Sequence, residues 1–158
     1  MSLSTVSPCP SRLPGPERGF ECACPRTTPP GSPLSADDAR RPGQIRRIVR
    51  ASLRRWGLEE EELVGAADIA ITELVTNALA HGQGPDFVVR VRVGSWLVIE
   101  VIGDGPVTLD GRQPPGGLLA ESGRGLDIVR AVAADVRLTA GGRGVRCELT
   151  LPKPEGAL

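Results

Sequence analysis

The chain has 158 residues, 40% hydrophobic and 24% charged, and its 19 basic residues balance 19 acidic ones. That length fits one domain with a real core, and zero net charge argues against an obligatory nucleic-acid or anionic-membrane partner. No uninterrupted apolar run approaches the ~18 residues that cross a bilayer, and no basic-then-apolar leader opens the sequence, so the cytoplasm is the expected compartment.

Residues 1–34 hold eight of the fifteen prolines and little apolar periodicity. Such a segment buries too little surface to offset its ordering entropy, so a disordered, Pro-rich arm is expected there. Three of the four cysteines, Cys9, Cys22 and Cys24, lie in it, and Cys147 falls in an expected strand. The Cys22-Ala23-Cys24 spacing is not that of a zinc site, which takes four ligands in CxxC-like pairs. Free thiols are therefore expected. The folded domain is expected over 35–153, followed by a short tail, 154–158. It opens with Ser35 and the acidic pair Asp37-Asp38, which suit a helix N-terminus.

Ile45, Ile48, Val49, Ser52, Leu53 and Trp56 recur at three and four and predict an amphipathic helix ended by Gly57. Its arginines, among them Arg46, Arg50 and Arg54, fall largely on the other face, which is either solvated or a surface for a partner or a second copy. A second helix is predicted over 59–81. Ala67, Ile71, Leu74 and Ala78 form its core stripe, and at ~100° per residue Ala66, Ala70, Glu73 and Asn77 form an adjacent strip. Glu73 and Asn77 are neighbours on that helix, at the edge of the apolar stripe, where a carboxylate and an amide face the rim of a cavity.

Alternation of Phe87, Val89, Val91 and Val93 with Arg90 and Arg92 predicts a half-buried strand, and Trp96 to Ile102 the next, joined at Gly94-Ser95 as a hairpin. A Gly- and Pro-rich connection, Gly103 to Gly123, follows; structureless connections of that length are often functional lids. It leads to Ser122-Gly123-Arg124-Gly125 and a helix over 126–134. Glycines before a helix let backbone amides approach a phosphate, and the helix N-terminus favours negative charge. Two strands, 136–139 and 145–151, close the domain around Gly141-Gly142-Arg143-Gly144.

Three words in this order resemble the histidine-kinase-like ATPases: Glu73-Leu74-Val75-Thr76-Asn77-Ala78 with His81 after it, Ile99-Glu100-Val101 leading to Asp104-Gly105-Pro106, and Glu121-Ser122-Gly123-Arg124-Gly125-Leu126 with Val129. Within that superfamily the sequence is most similar to actinobacterial anti-sigma-factor serine/threonine kinases of the SpoIIAB/RsbW type, over about residues 39–151. The resemblance implies an α+β fold, a two-layer sandwich with helices on one face of a mixed, mainly antiparallel sheet. It implies ATP and Mg²⁺ as cofactors. Asn77 would ligate the metal and Glu73 would be the catalytic base. Gly123, Arg124 and Gly125 would supply backbone contacts to phosphate, with the Leu126 helix behind them completing the nucleotide-binding set, and Asp104 and Gly105 would lie at the adenine; His81, after the Asn helix, is read as a structural or helix-end residue. The implied partners are a sigma factor and a STAS-type anti-anti-sigma protein, with a homodimer through Ile45 to Trp56 as a further expectation.

Two positions depart from the family pattern. Relatives read Asp-x-Gly-Pro at the adenine turn, whereas here Gly103 occupies the Asp position if Pro106 sets the register. The contact of Asp104 is then either restored by a local bulge or lost. Relatives also carry a Thr near adenine where this chain has Gly144. A second class of function therefore stands beside the kinase: the same fold kept as a protein-binding module with nucleotide binding lost.

Overall fold

The computed structural model describes residues 18–29, 31–104 and 122–153 of the chain. Its elements are β1 (Arg18–Pro25), α1 (Ala36–Arg55), α2 (Glu61–His81), β2 (Asp86–Val93), β3 (Trp96–Ile102), α3 (Ser122–Val132), β4 (Asp135–Thr139) and β5 (Gly144–Thr150). The strands form one five-stranded sheet in the order β1-β2-β3-β5-β4. Each pairing is antiparallel, and the helices pack on one face. The expected two-layer sandwich is the fold observed, with all described pairings at the antiparallel end of the expected mix.

Period-two alternation explains the sheet's two faces. Phe87, Val89, Val91, Leu97, Ile99, Val101, Val145, Cys147 and Leu149 point toward the helices and are buried. The opposite face carries a row of opposed charges. Arg90 pairs with Glu21 across β1 at 2.8 Å, and the Glu100 carboxylate lies 4.0 Å from both Arg90 and Arg146. Cross-strand pairs of this kind stabilise the sheet and let a nearly buried Glu100 sit on a helix-free face.

α2 is the central helix. Leu63, Ala67, Ala70, Ile71, Leu74, Val75 and Leu79 are buried, because α2 packs against α1, α3 and the sheet. Its length and mean hydropathy of 1.4 meet a membrane-span criterion, but here that apolarity serves a domain core. α1 buries Ile45, Val49, Ser52 and Leu53 as its periodicity predicts, while Ile48 is 45% exposed. Part of its basic face is tied to α2 rather than solvated: Arg46 donates to Thr72 Oγ1 at 2.8 Å, and Arg50 forms a forked ion pair with Asp68.

The expected disordered arm over 1–34 is corrected by the structure. Arg18–Pro25 is an eight-residue strand paired along its length with β2; residues 1–17 lie outside the described part, as does the tail, 154–158. Proline content misleads because Phe20, Cys22 and Cys24 alternate toward the core, and the pairing energy comes from β2, distant in sequence. The segment after β1 is fastened as well. Arg26 N donates to Pro85 O at 2.8 Å, and Arg26 Nε caps the Leu79 carbonyl near the end of α2 at 2.9 Å. The Asp38 carboxylate accepts from Thr27 N, Thr28 N and Thr28 Oγ1 at 3.0, 2.8 and 2.6 Å. Ser35 caps α1 by accepting from Asp38 N at 3.1 Å. At the other end of α1, Arg18 donates to Trp56 O and Phe20 stacks obliquely near Trp56. α1 therefore runs back along β1 in the opposite sense.

Candidate functional site

Glu73 and Asn77 lie one turn apart on α2, both half-buried, flanking the fully buried Leu74 and Val75. The buried face of α2 is broader than the expected stripe: Ala70, Val75 and Leu79 join Ala67, Ile71 and Leu74 in the core, Ala78 is only partly buried, and Glu73 and Asn77 are left half-buried. α3 packs beside α2, and the contact is close at one point. A Cβ built on Gly125 would stand 2.5 Å from Glu73 Oε2 and 3.4 Å from its Cδ. Position 125 has room for the carboxylate because it has no side chain of its own. The structure thus brings together two residues separated by the whole β2–β3 hairpin and the connection after it.

The glycines sit differently from the expected turn ahead of the helix. α3 begins at Ser122, so Gly123, Arg124 and Gly125 form its first turn. Backbone N–H groups in a first turn have no carbonyl partner within the helix and carry the positive end of its dipole. Gly125, within that turn, lies against the Glu73 carboxylate. Leu126 and Val129 are buried in the core and hold α3 against it. The side chain of Arg124 and all of Gly105 lie outside the described residues, as does most of the expected lid, 105–121. His81 is the last residue of α2, as a helix-end role requires.

Two alternatives were left open for Asp104. Pairing of β3 with β5 runs without interruption to Ile102↔Gly144, and Gly103 N continues it by donating to Arg143 O at 3.0 Å. Among the described residues no bulge moves Asp104 back into the register of Gly103. Its carboxylate packs instead on the α2–β2 connection, where a Cβ at Gly84 would lie 2.1 Å from Asp104 Oδ2. Position 103, by alternation from Val101, faces the helix layer, and the nearest atom to a Cβ there is that of Phe87 at 4.0 Å. An acid at 103 would point toward the helices; the acid at 104 points to the loop.

Gly144 carries a different lesson from the one its missing hydroxyl suggests. A Cβ there would meet Thr139 Cγ2 at 2.7 Å, Ile102 Cγ1 at 2.8 Å and Val101 O at 3.0 Å. Thr139 donates to Glu100 Oε2 at 3.3 Å on the charged, helix-free face. Position 144 thus faces away from Glu73 and Asn77, and its neighbours leave no space for a threonine.

Among the described residues no three His, Cys, Asp or Glu side chains converge as a metal cluster. One amide oxygen from Asn77 suits a hard cation whose other oxygens come from phosphates and water. Residues 34–151 match the family model described as "Histidine kinase-like ATPase domain". The chain belongs to that family. A comparison with curated proteins finds no match.

For a histidine kinase-like ATPase domain, the chemistry of the residues present suits the phosphate and metal end of a nucleotide: a carboxylate, an amide one turn on, and a glycine of the α3 first turn against the carboxylate. The adenine end fits less well, since Gly103 has no acid to offer and Asp104 is held elsewhere. The motif already shows Gly103 in the Asp position; the strand register adds where Asp104 goes instead.

Proposed function

We propose that the protein is a cytoplasmic ATP- and Mg²⁺-dependent serine/threonine kinase that acts as an anti-sigma factor, with a STAS-type anti-anti-sigma protein as its substrate. The observation that carries the reading is the Glu73 carboxylate lying against Gly125 in the first turn of α3, with Asn77 one turn along α2. Asn77 would hold Mg²⁺ through its amide oxygen, and the metal would supply charge neutralisation at the transferred group. The free N–H groups of the α3 first turn bind phosphate oxygens and fix their orientation. Glu73 takes the proton from the attacking serine hydroxyl as the oxygen approaches phosphorus. Leu74, Val75 and Leu126 form the apolar floor behind these groups and keep water from it.

The test is an ATP titration with and without Mg²⁺, followed by phosphate transfer to the STAS protein encoded nearest to this gene. Binding that needs Mg²⁺ and disappears in Asn77→Ala, with transfer abolished by Glu73→Gln, supports the kinase. A second reading has its own observation, the seating of Asp104 on Gly84 in place of an adenine-facing acid. Under it the fold is a protein-binding module with little nucleotide affinity, and partner capture is unaffected by ATP or by Asn77→Ala.

A further inference from the structure

β1 carries chemistry that nucleotide binding does not use. Cys22 and Cys24 stand two apart on its helix-facing side, opposite Val89 and Phe87. Their sulfurs are 3.7 Å apart, and both are free thiols. Cys24 is buried in the core and Cys22 is partly exposed. Arg41, on α1, is close enough for its charge to act on the Cys24 thiol. One guanidinium nitrogen of Arg41 donates to Gln44 Oε1 at 3.2 Å, but its Nε is buried with no hydrogen-bond partner among the described residues. A buried donor without an acceptor is costly. An anionic sulfur within reach of that charge would be a matching acceptor.

We propose that Cys22, Cys24 and Arg41 form a peroxide-oxidisable dithiol site, whose product is a disulfide between the two cysteines. Hydrogen peroxide or an organic hydroperoxide is the oxidant. The thiolate of Cys22, the more accessible sulfur, attacks one peroxide oxygen; the O–O bond breaks, and the departing hydroxide or alkoxide takes up the proton lost by Cys22. Cys22 is then a sulfenic acid. The Cys24 sulfur attacks the Cys22 sulfur, the S–O bond breaks, and hydroxide leaves as water with the Cys24 proton. The two thiols lose two electrons in total and the peroxide gains them. Burial, with the Cys22 thiol beside it, pushes Cys24 up to about 12, which keeps it protonated until the sulfenic acid forms. Arg41 opposes that rise and steadies the Cys24 thiolate as it attacks.

The strand sets how durable the bond is. At a rise of about 3.3 Å per residue, residues two apart have Cα atoms about 6.6 Å apart, near the upper limit of disulfide reach at about 6.8 Å. Closing the ring must shorten β1. As an edge strand with β2 its one neighbour among the described residues, β1 can pucker, and a strained disulfide is readily reduced.

The full-length protein is treated with hydrogen peroxide, alkylated with N-ethylmaleimide, digested and mapped by mass. The expected peptide spanning Cys22 and Cys24 is two hydrogens lighter, unalkylated, and returns to its dithiol mass with dithiothreitol. In Cys24→Ser a dimedone-trappable sulfenic acid replaces the disulfide at Cys22. In Cys22→Ala, Cys24 stays reduced. Arg41→Gln slows ring closure, and Cys22 sulfenic acid accumulates. The proposal is overturned if both cysteines stay alkylatable, if Cys22 goes on to sulfinic acid beside a reduced Cys24, or if either pairs with Cys9 or Cys147 instead. An unchanged rate in Arg41→Gln removes Arg41 from the site.

Discussion

Replacing Gly125 with alanine separates the site from the fold. The added methyl would lie 2.5 Å from Glu73 Oε2 but 3.7 Å from Glu73 Cβ, so only the end of a flexible side chain has to move. Turning that carboxylate aside costs about 0.5–1.5 kcal/mol. Alanine in place of glycine within a helix returns up to about 1 kcal/mol. The two nearly cancel, and the variant should unfold within a few degrees of the wild type. The function should not survive so easily. The methyl takes the space of the Glu73 carboxylate and displaces the proposed base, whose contribution is about 10²- to 10⁴-fold in rate. Thermal unfolding without nucleotide, calorimetric titration with Mg-ATP and a phosphate-transfer assay measure the three quantities. Wild-type affinity and transfer in Gly125→Ala would refute the placement of the phosphates between α2 and α3. A stability loss above about 3 kcal/mol would instead make Gly125 a packing contact.

Glu73→Gln should leave Mg-ATP affinity within about threefold of wild type while transfer falls by at least about 10²-fold, which separates a base from a binding group. Gly103→Asp should tighten ATP binding measurably, because the new carboxylate faces the helix layer with its Cβ 4.0 Å from the nearest neighbour; unchanged affinity would mean that adenine does not approach this turn. Gly144→Thr should give no such gain and should lower stability by about 1–3 kcal/mol through overpacking against Thr139 and Ile102, as chemical denaturation would show. Asp38 supplies a pH dependence. Burial alone would raise its pKa, but the hydrogen bonds from Thr28 and Thr27 outweigh it and hold the carboxyl below its ordinary value. Its contribution is therefore complete above the unfolded pKa of about 3.9 and is lost as pH falls through the folded value. Urea unfolding at pH 7 should show Asp38→Asn weaker by about 1.5–3 kcal/mol, with the gap to wild type narrowing in acid; a gap independent of pH would refute the charge argument.

Elements with a strong period of their own were legible before any coordinates. α2 reads as helix because its apolar residues repeat every three and four, and the same repeat sets Glu73 and Asn77 beside its buried face, where both are half-buried. β2 and β3 read as a hairpin because alternation and a two-residue turn are local signals. β1 was not legible. It lies in a proline-rich stretch, and its order comes from Val88 to Val93 on β2 and from Thr27 and Thr28 gripping Asp38, contacts that no window of sequence contains. The start of α3 was misplaced because glycines normally lower helix propensity, while here Leu126 and Val129 anchor the helix from within the core.

The residue types of the site, and their order along the chain, were determined by the sequence alone. Carboxylate, amide and glycine each have a fixed chemical capacity, and helical spacing puts the first two side by side. The tertiary structure decided which of them meet. Packing of α3 on α2 brought Gly125 to Glu73, and the uninterrupted β3–β5 register turned Asp104 onto Gly84 and left Gly103 facing the helices. The physical reason is that a strand's side chains alternate sides at every residue. A shift of one position changes nothing in the composition of a motif, yet it moves a carboxylate to the other side of the sheet. Only the pairing partner fixes on which side it falls.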